Sequence, residues 1–341
     1  MGIDMRDILD TLGNRGDLTE DQAAFAFQQL FEGLLTPAQA GALLMGLRAK
    51  GETPVELACA AKAGLGKARL VSGLPTDKPI LDIVGTGGDR TSSFNCSTAV
   101  SLYLAALGQR VVKHGNRAVS SSSGSADALE GLGLPLSIGP EQVVGELAKT
   151  SFVFLFAPNY HPAFAHIAPV RRELGVRTLF NLMGPLLNPA RPSHQLLGVG
   201  QAAALPLMAE TLARTAPGVR ALVIHGSGGA GAGGGFDELT PFGPTTGFEV
   251  AEGKTTPFRL DPAEVGLAGF SPDDVRVNDK PAALTAIRDV LCGRANPAMQ
   301  AMTALNLGAA LMLATGRPLA DCMTEAKQAV TKGAARRFAG E

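Results

Sequence analysis

The chain changes its period at Pro79. Residues 3–70 carry only helical patterning, whereas from Ile80 strand-like and helix-like stretches alternate until about residue 225. In the first part Ile8, Leu9 and Leu12 fall on one helical face. Thr19-Glu-Asp-Gln, Thr36-Pro37 and Thr53-Pro54 read as helix starts, where a hydroxyl covers orphan N–H groups and proline loses nothing at the first helical position. In the second part the expected strands are 80–84, 110–113, 134–138, 152–156, 195–199 and 220–224, and the expected helices are 97–107, 140–149 and 202–215. The stretch 248–260, with Pro257, reads as short strands, and 281–291, 297–315 and 318–337 as helices. Such alternation predicts an α/β fold: a small all-helical N-terminal domain, then a larger α/β domain with a mostly parallel central sheet flanked by helices.

Composition narrows the function. Of 341 residues, 45% are apolar and 18% charged, ample for a buried core. A net charge of −1, no Trp and two Tyr leave neither a basic surface nor stacking platforms, which argues against a nucleic-acid partner. Any phosphate must be held locally. Cys59, Cys96, Cys292 and Cys322 form no CxxC pair, so they are expected as buried small apolar residues rather than metal ligands or a disulfide frame. The first residues lack a basic segment followed by an apolar one, and no run approaches the ~18–20 apolar residues of a membrane span. The expectation is a cytoplasmic protein that does not engage a membrane.

Two segments are dense in anion donors. In Asp82-Ile-Val-Gly-Thr-Gly-Gly-Asp89 a buried strand runs into three glycines, which lets backbone N–H groups approach an anion; Asn95-Cys-Ser-Thr98 then opens a helix, whose free N–H groups favour phosphate. A tight strand-to-helix turn with an Asn cap would look the same. Lys113-His-Gly-Asn-Arg117, followed by Ser120 to Asp127, brings two cations, an amide and five serines to a strand's end, where α/β sheets bind ligands. A Ser-rich surface turn is the alternative. Gly226-Ser-Gly-Gly-Ala-Gly231 matches GxGxxG, but more glycines follow instead of a helix, so it reads as a mobile loop. Asp237-Glu238 could converge on Mg²⁺ or be solvated surface. His166 and His225 read as structural, and no Gly-x-Ser-x-Gly elbow is present.

In order, these segments resemble the anthranilate phosphoribosyltransferases, a family of the nucleoside phosphorylase/phosphoribosyltransferase group. The likeness rests on Gly85-Thr-Gly-Gly-Asp89, Asn95-Cys-Ser-Thr98, the Lys113 segment, His161-Pro-Ala, Arg171-Arg-Glu-Leu-Gly-Val-Arg-Thr-Leu-Phe-Asn-Leu-Met-Gly-Pro185, Asp237-Glu-Leu and Gly243-Pro-Thr. It spans roughly residues 80–245. Ser93 stands where Thr is usual, and the glycine-rich stretch 226–235 is longer than the usual turn.

The resemblance implies a helical domain, 1–72, completed by about 171–190, beside an α/β domain of 73–170 and 191–341. It implies that phosphoribosyl pyrophosphate is held by Gly85, Gly88, Asp89, Ser93, Asn95, Cys96, Ser97, Thr98, Lys113, His114, Gly115, Asn116, Arg117, Ala118, Val119, Ser120, Ser121 and Ser125. Anthranilate would meet Gly85, His114, Asn116, Tyr160, His161, Arg171 and Pro185, with Lys113, Asn116 and Arg171 as the catalytic set. Ser97, Asp237 and Glu238 would serve Mg²⁺, two ions with substrate bound. A homodimer joined through the helical domains is the implied assembly, and Phe25, Phe27, Leu30 and Phe31 would supply its apolar contact unless they pack onto the α/β domain. The implied reaction needs no protein nucleophile: the anthranilate amine displaces pyrophosphate at ribose C1, and the protein positions the reactants and stabilises the leaving group. The glycine-rich stretch is expected to let Asp237 and Glu238 swing in and out. A pyrimidine-nucleoside phosphorylase and a noncatalytic nucleic-acid-binding relative are the rival readings; Asp237-Glu238 and Arg171 argue against the first and the charge balance against the second.

Overall fold

The computed structural model describes residues 2–89, 91–117, 124–228 and 235–341. Four helices come first: α1 (Met5–Gly13), α2 (Glu20–Phe31), α3 (Pro37–Lys50) and α4 (Pro54–Gly66). All three expected threonine starts are capping boxes. At Thr19, for example, the hydroxyl accepts from Gln22 N at 3.3 Å while Gln22 Oε1 accepts from Thr19 N at 3.0 Å.

The remainder runs β1 (Ile80–Gly85), α5 (Cys96–Ala106), β2 (Arg110–Gly115), α6 (Ser125–Gly131), α7 (Val143–Thr150), β3 (Phe152–Phe156) and the short helices α8 (Ala157–Tyr160), α9 (Ala168–Leu174) and α10 (Phe180–Met183). Then follow β4 (His194–Gly198), α11 (Leu205–Thr215), β5 (Arg220–Gly226), β6 (Thr245–Ala251), β7 (Lys254–Leu260), α12 (Lys280–Leu291), α13 (Pro297–Thr315) and α14 (Leu319–Thr331). The sheet order is β3-β2-β1-β4-β5-β6-β7, parallel from β3 to β5 and antiparallel beyond. Glu252 and Gly253, both at positive φ, make the two-residue turn between β6 and β7. Pro257 is tolerated because β7 is an edge strand with no further ladder to feed.

Strand alternation divides two cores. Leu196, Leu222 and Ile224 face the cluster formed with α5, α12, α13 and α14. Leu197, Ala221 and Val223 face the opposite cluster, which α11 shares with α1–α4 and with Val170, Leu179, Phe180 and Met183. The apolar face of the helical unit is thus spent inside the chain. Phe27, Leu30 and Phe31 are buried there, with Phe31 against Phe164 and Phe180, and Phe25 packs at its margin, so the side chains expected to supply a dimer's apolar contact pack within the chain.

Two further expectations change. Residues 134–138 form no strand: Pro135 removes a ladder donor, and Leu134, Leu136 and Ile138 simply cover the core. Helix α13 is long and apolar enough to cross a membrane by length and composition, contrary to the sequence reading; 78% of its apolar window is buried among the other helices and the sheet. All four cysteines are free and buried, as expected.

Candidate active site

The strand order reverses between β1 and β4, and a crevice opens at their carboxyl ends, the place where open α/β sheets take ligands. It widens into a cavity of about 1190 Å³ between the sheet and the helical unit. The two strands end in a paired Gly85 and Gly198. A Cβ on Gly85 would overlap the Asp237 carboxylate, and one on Gly198 would overlap the Asp237 carbonyl, so both glycines are needed to seat that residue. Gly87 and Gly88 follow at positive φ, and Gly87 N donates to Asp237 Oδ2 at 2.8 Å. The loop is tied down further by Thr86 N donating to the Gly198 carbonyl at 2.9 Å and by Arg177 Nη2 donating to the Gly88 carbonyl at 3.0 Å.

Asp89, Asp237 and Glu238 bring carboxylate oxygens within 4.8 Å of one another. Burial, then repulsion from Asp89, pushes Asp237 up to about 7, and burial with Asp237 beside it holds Glu238 well above the usual carboxylate range. Glu238 Oε2 is buried without a hydrogen-bond partner. Hard oxygens that converge and repel, one of them unsatisfied, fit a divalent cation.

Lys113, buried at the end of β2, donates to the Ile83 carbonyl and, at 3.4 Å, to the Ser97 hydroxyl. Burial lowers its pKa against the pull of Asp82, Glu238 and Asp237. Asp82, fully buried on β1, is raised by burial to about 6 and accepts from Asn188 Nδ2 at 2.9 Å.

The other end of the cavity is aromatic. His114 and His161 lie 5.0 Å apart, Phe164 is 5.5 Å from His161, and Phe180 is 5.6 Å from Phe164. Burial first, and for His114 also its neighbour His161, depresses the two imidazoles to about 3 and about 4, so both are neutral at physiological pH. The half-buried Arg171 guanidinium stands 5.0 Å over the Phe180 ring, and burial lowers its pKa. It forms no ion pair among the described residues. A cation without a counter-ion beside an aromatic wall suits a planar aromatic carboxylate.

Of the residues singled out from the sequence, Gly85, Gly88, Asp89, Ser93, Asn95, Ser97, Lys113, His114, Gly115, Asn116, Arg117, Ser125, His161, Arg171, Pro185, Asp237 and Glu238 line this cavity. Three do not. Cys96 and Thr98 flank Ser97 on the first turn of α5, so they point away from its face and are buried in the protein. Tyr160 is fully buried, its hydroxyl donating to the Ile138 carbonyl at 2.7 Å. The Arg117 guanidinium is committed to Glu130 at 2.7 Å and Asp127 at 3.3 Å, which leaves it turned toward α6. Ala118, Val119, Ser120 and Ser121, and residues 229–234 of the glycine-rich stretch, lie outside the described residues. At the ends of that stretch Gly226 and Phe236 exchange backbone hydrogen bonds at 3.0 and 2.8 Å, which ties down the chain directly before Asp237; the expected swing of the pair depends on residues that lie outside the described ones.

Sequence reasoning missed three participants. Asp89, expected only as a donor-loop residue, is also the third carboxylate. Arg177 and Arg48, the latter donating to the Arg177 carbonyl, stand at the cavity wall. Arg177 lies six residues beyond Arg171 in the same segment, but nothing local marks it as facing the glycine loop.

Residues 77–336 match the a/b domain of a glycosyl transferase family, and residues 6–68 match that family's helical bundle domain. Anthranilate phosphoribosyltransferase of Nitratidesulfovibrio vulgaris is 53% identical over 96% of both chains, and that of Oleidesulfovibrio alaskensis 52% over 96% of this chain and 97% of its own. Among solved structures, the Thermus thermophilus anthranilate phosphoribosyltransferase superposes with a TM-score of 0.86 at 38% identity, covering 97% of each chain. The Saccharomyces cerevisiae enzyme in complex with phosphoribosyl pyrophosphate and Mg also gives 0.86, at 26% identity over 98% of this chain and 96% of that one. With both of its domains matched and curated relatives more than half identical over nearly the full length, the chain belongs to the anthranilate phosphoribosyltransferase family.

Proposed function

We propose that the chain transfers the phosphoribosyl group of phosphoribosyl pyrophosphate to the amine of anthranilate, releasing pyrophosphate and forming N-(5-phosphoribosyl)anthranilate for tryptophan biosynthesis. One observation carries the reading: a single cavity joins a glycine loop with three converging carboxylates to an aromatic wall with a cation that has no counter-ion among the described residues. The donor lies at the first end and the acceptor at the second.

The Gly85–Asp89 loop offers N–H groups to the donor, and Ser93, Asn95 and Ser97 add side-chain groups at the start of α5. Lys113 fixes the Ser97 hydroxyl and offsets the negative charge of Asp82, Asp237 and Glu238. Ser97, Asp237 and Glu238, with Asp89 beside them, would hold Mg²⁺, two ions once the donor is bound. Mg²⁺ would supply charge neutralisation to the pyrophosphate. Arg171 takes the anthranilate carboxylate through two parallel hydrogen bonds, while His114, His161 and Pro185 flank the ring and Asn116 stands near the amine. Both imidazoles are neutral and add no charge beside the acceptor's amine, which as an aryl amine is already unprotonated at neutral pH and free to attack. The C1–N bond then forms as the C1–O bond to pyrophosphate breaks, with inversion, and the proton the nitrogen sheds passes to the departing pyrophosphate or to water.

A phosphorylase that takes free phosphate needs no carboxylates for a Mg²⁺-pyrophosphate, so the three that line the cavity disfavour the nucleoside phosphorylase reading. A cytoplasmic homodimer belongs to the same proposal, resting on the family likeness; Leu34 and Met45 are the large apolar side chains left exposed on α2–α3 and their connection. Light scattering that returned the mass of one chain would refute the dimer. The reaction is tested by pyrophosphate release from phosphoribosyl pyrophosphate with anthranilate, with 3- or 4-aminobenzoate, and with no acceptor. Release is expected with anthranilate; release that ignores the acceptor would refute the proposal.

A further inference from the structure

Asp237 and Glu238 sit on irregular backbone, yet their place is fixed from both sides. The Gly226–Phe236 bridge holds the residue before them. The residue after them, Leu239, is fully buried and belongs to no strand, so its N–H and C=O need partners. One side chain supplies both. Asn306, in the middle of α13 and 1% exposed, accepts from Leu239 N through Oδ1 at 3.0 Å and donates through Nδ2 to the Leu239 carbonyl at 2.8 Å. The same Nδ2 donates to the Met302 carbonyl one helical turn back at 2.8 Å, which fixes the amide's orientation. The amide edge thus takes the place of a missing strand partner.

We infer that Asn306 is a positioning residue for the metal-binding carboxylates, acting through the Leu239 backbone rather than by touching substrate. The inference rests on the proposed role of Asp237 and Glu238. It has a physical basis independent of that role. A buried Asn whose donors and acceptor are all used on two carbonyls and one N–H cannot be replaced by an apolar residue without stranding main-chain groups beside Glu238. A helix otherwise filled with Ala, Leu and Met offers no other polar group at this point; Thr303 spends its hydroxyl on the Met299 carbonyl.

Asn306→Asp keeps the acceptor for Leu239 N and removes both donated bonds, and Asn306→Leu removes all three at similar volume. Leu307→Ala, on the same helix and in the core, serves as a control that loosens packing without touching Leu239. Binding of Mn²⁺ as the probe ion is read by electron paramagnetic resonance in the presence of phosphoribosyl pyrophosphate, alongside thermal unfolding and the KM for anthranilate. Asn306→Asp is expected to weaken Mn²⁺ binding about tenfold or more and leave the anthranilate KM unchanged, while Leu307→Ala lowers the melting temperature without weakening Mn²⁺ binding. Unchanged Mn²⁺ affinity in a folded Asn306→Asp, or equal weakening in Leu307→Ala, overturns the clamp. If Asn306→Leu does not fold, Asn306→Asp carries the test. Wild-type protein that fails to bind Mn²⁺ with the donor present overturns the carboxylate reading and the clamp's role with it.

Discussion

Arg171 offers the sharpest test of the acceptor end. Its guanidinium has the Phe180 ring beneath it at 5.0 Å and no ion-pair partner among the described residues. Hydrogen bonds to charged groups contribute about 1.5–3 kcal/mol, and each 1.36 kcal/mol is about tenfold, so Arg171→Ala should raise the anthranilate KM about 10- to 150-fold. The lost stacking on Phe180 acts on stability, by about 0.5–1 kcal/mol, not on the donor, whose KM should stay within about twofold. Arg171→Lys keeps the charge and loses the planar fork, so it should fall between the two. A comparison with anthranilamide isolates the carboxylate: wild type should prefer anthranilate, and Arg171→Ala should lose most of that preference. Steady-state pyrophosphate release with both acceptors measures this. If the preference survives the substitution intact, Arg171 does not bind the carboxylate.

Asp237→Asn/Glu238→Gln should abolish Mg²⁺-dependent turnover, read as rate against Mg²⁺ concentration; a wild-type Mg²⁺ response in the double variant would refute the assignment. Gly198→Ala should cost about 1–3 kcal/mol or more by overlapping the Asp237 carbonyl and should weaken Mg²⁺ activation; an unchanged melting temperature and Mg²⁺ response would contradict the packing argument. His161 is held neutral when folded, with its pKa depressed from 6.5 to about 4 by burial. Its contribution to stability is therefore full above pH 6.5 and is lost as the pH falls from there toward 4, when the unfolded chain takes up the proton first. Denaturant titrations should show His161→Phe, which keeps an aromatic wall, losing less stability than wild type over that window, by up to roughly 3 kcal/mol; parallel curves would show that His161 does not govern it.

The elements announced by local chemistry were legible. Threonine followed by proline or by Gln/Glu at the third position specifies its own capping geometry, and a buried parallel strand needs an apolar run such as Ile80 to Val84, which only Asp82 interrupts. The short run at 134–138 carries a similar apolar composition, yet it covers the core without joining the sheet, because pairing depends on partners far away in sequence. Within the site, the glycine loop and Lys113 were legible because close backbone approach and strand-end cations leave a mark in one segment. The positions of Arg48, Arg177 and Asn306 were not. Each acts on a carbonyl of a distant segment, and a main-chain acceptor leaves no signature in residue type.

The electrostatics of the donor end explain why the donor and its metal should bind together. Asp89, Asp237 and Glu238 repel one another, and partial burial makes the charged forms of Asp237 and Glu238 costlier, so the fully ionised trio is unfavourable in the free protein. Lys113 offsets part of this charge, but its ammonium already serves the Ile83 carbonyl and Ser97 and also balances Asp82. A divalent cation relieves the repulsion but finds too few protein oxygens to fill its shell, and the pyrophosphate that could complete that shell is itself repelled by the bare carboxylates. Each ligand therefore removes the main obstacle to the other, and the coupling is reciprocal: Mg²⁺ should tighten donor binding by the factor by which the donor tightens Mg²⁺. This coupling rests on charge, acting on carboxylates that the bridge at Phe236 and the amide at Leu239 flank, so it should weaken at pH values low enough to protonate Asp237.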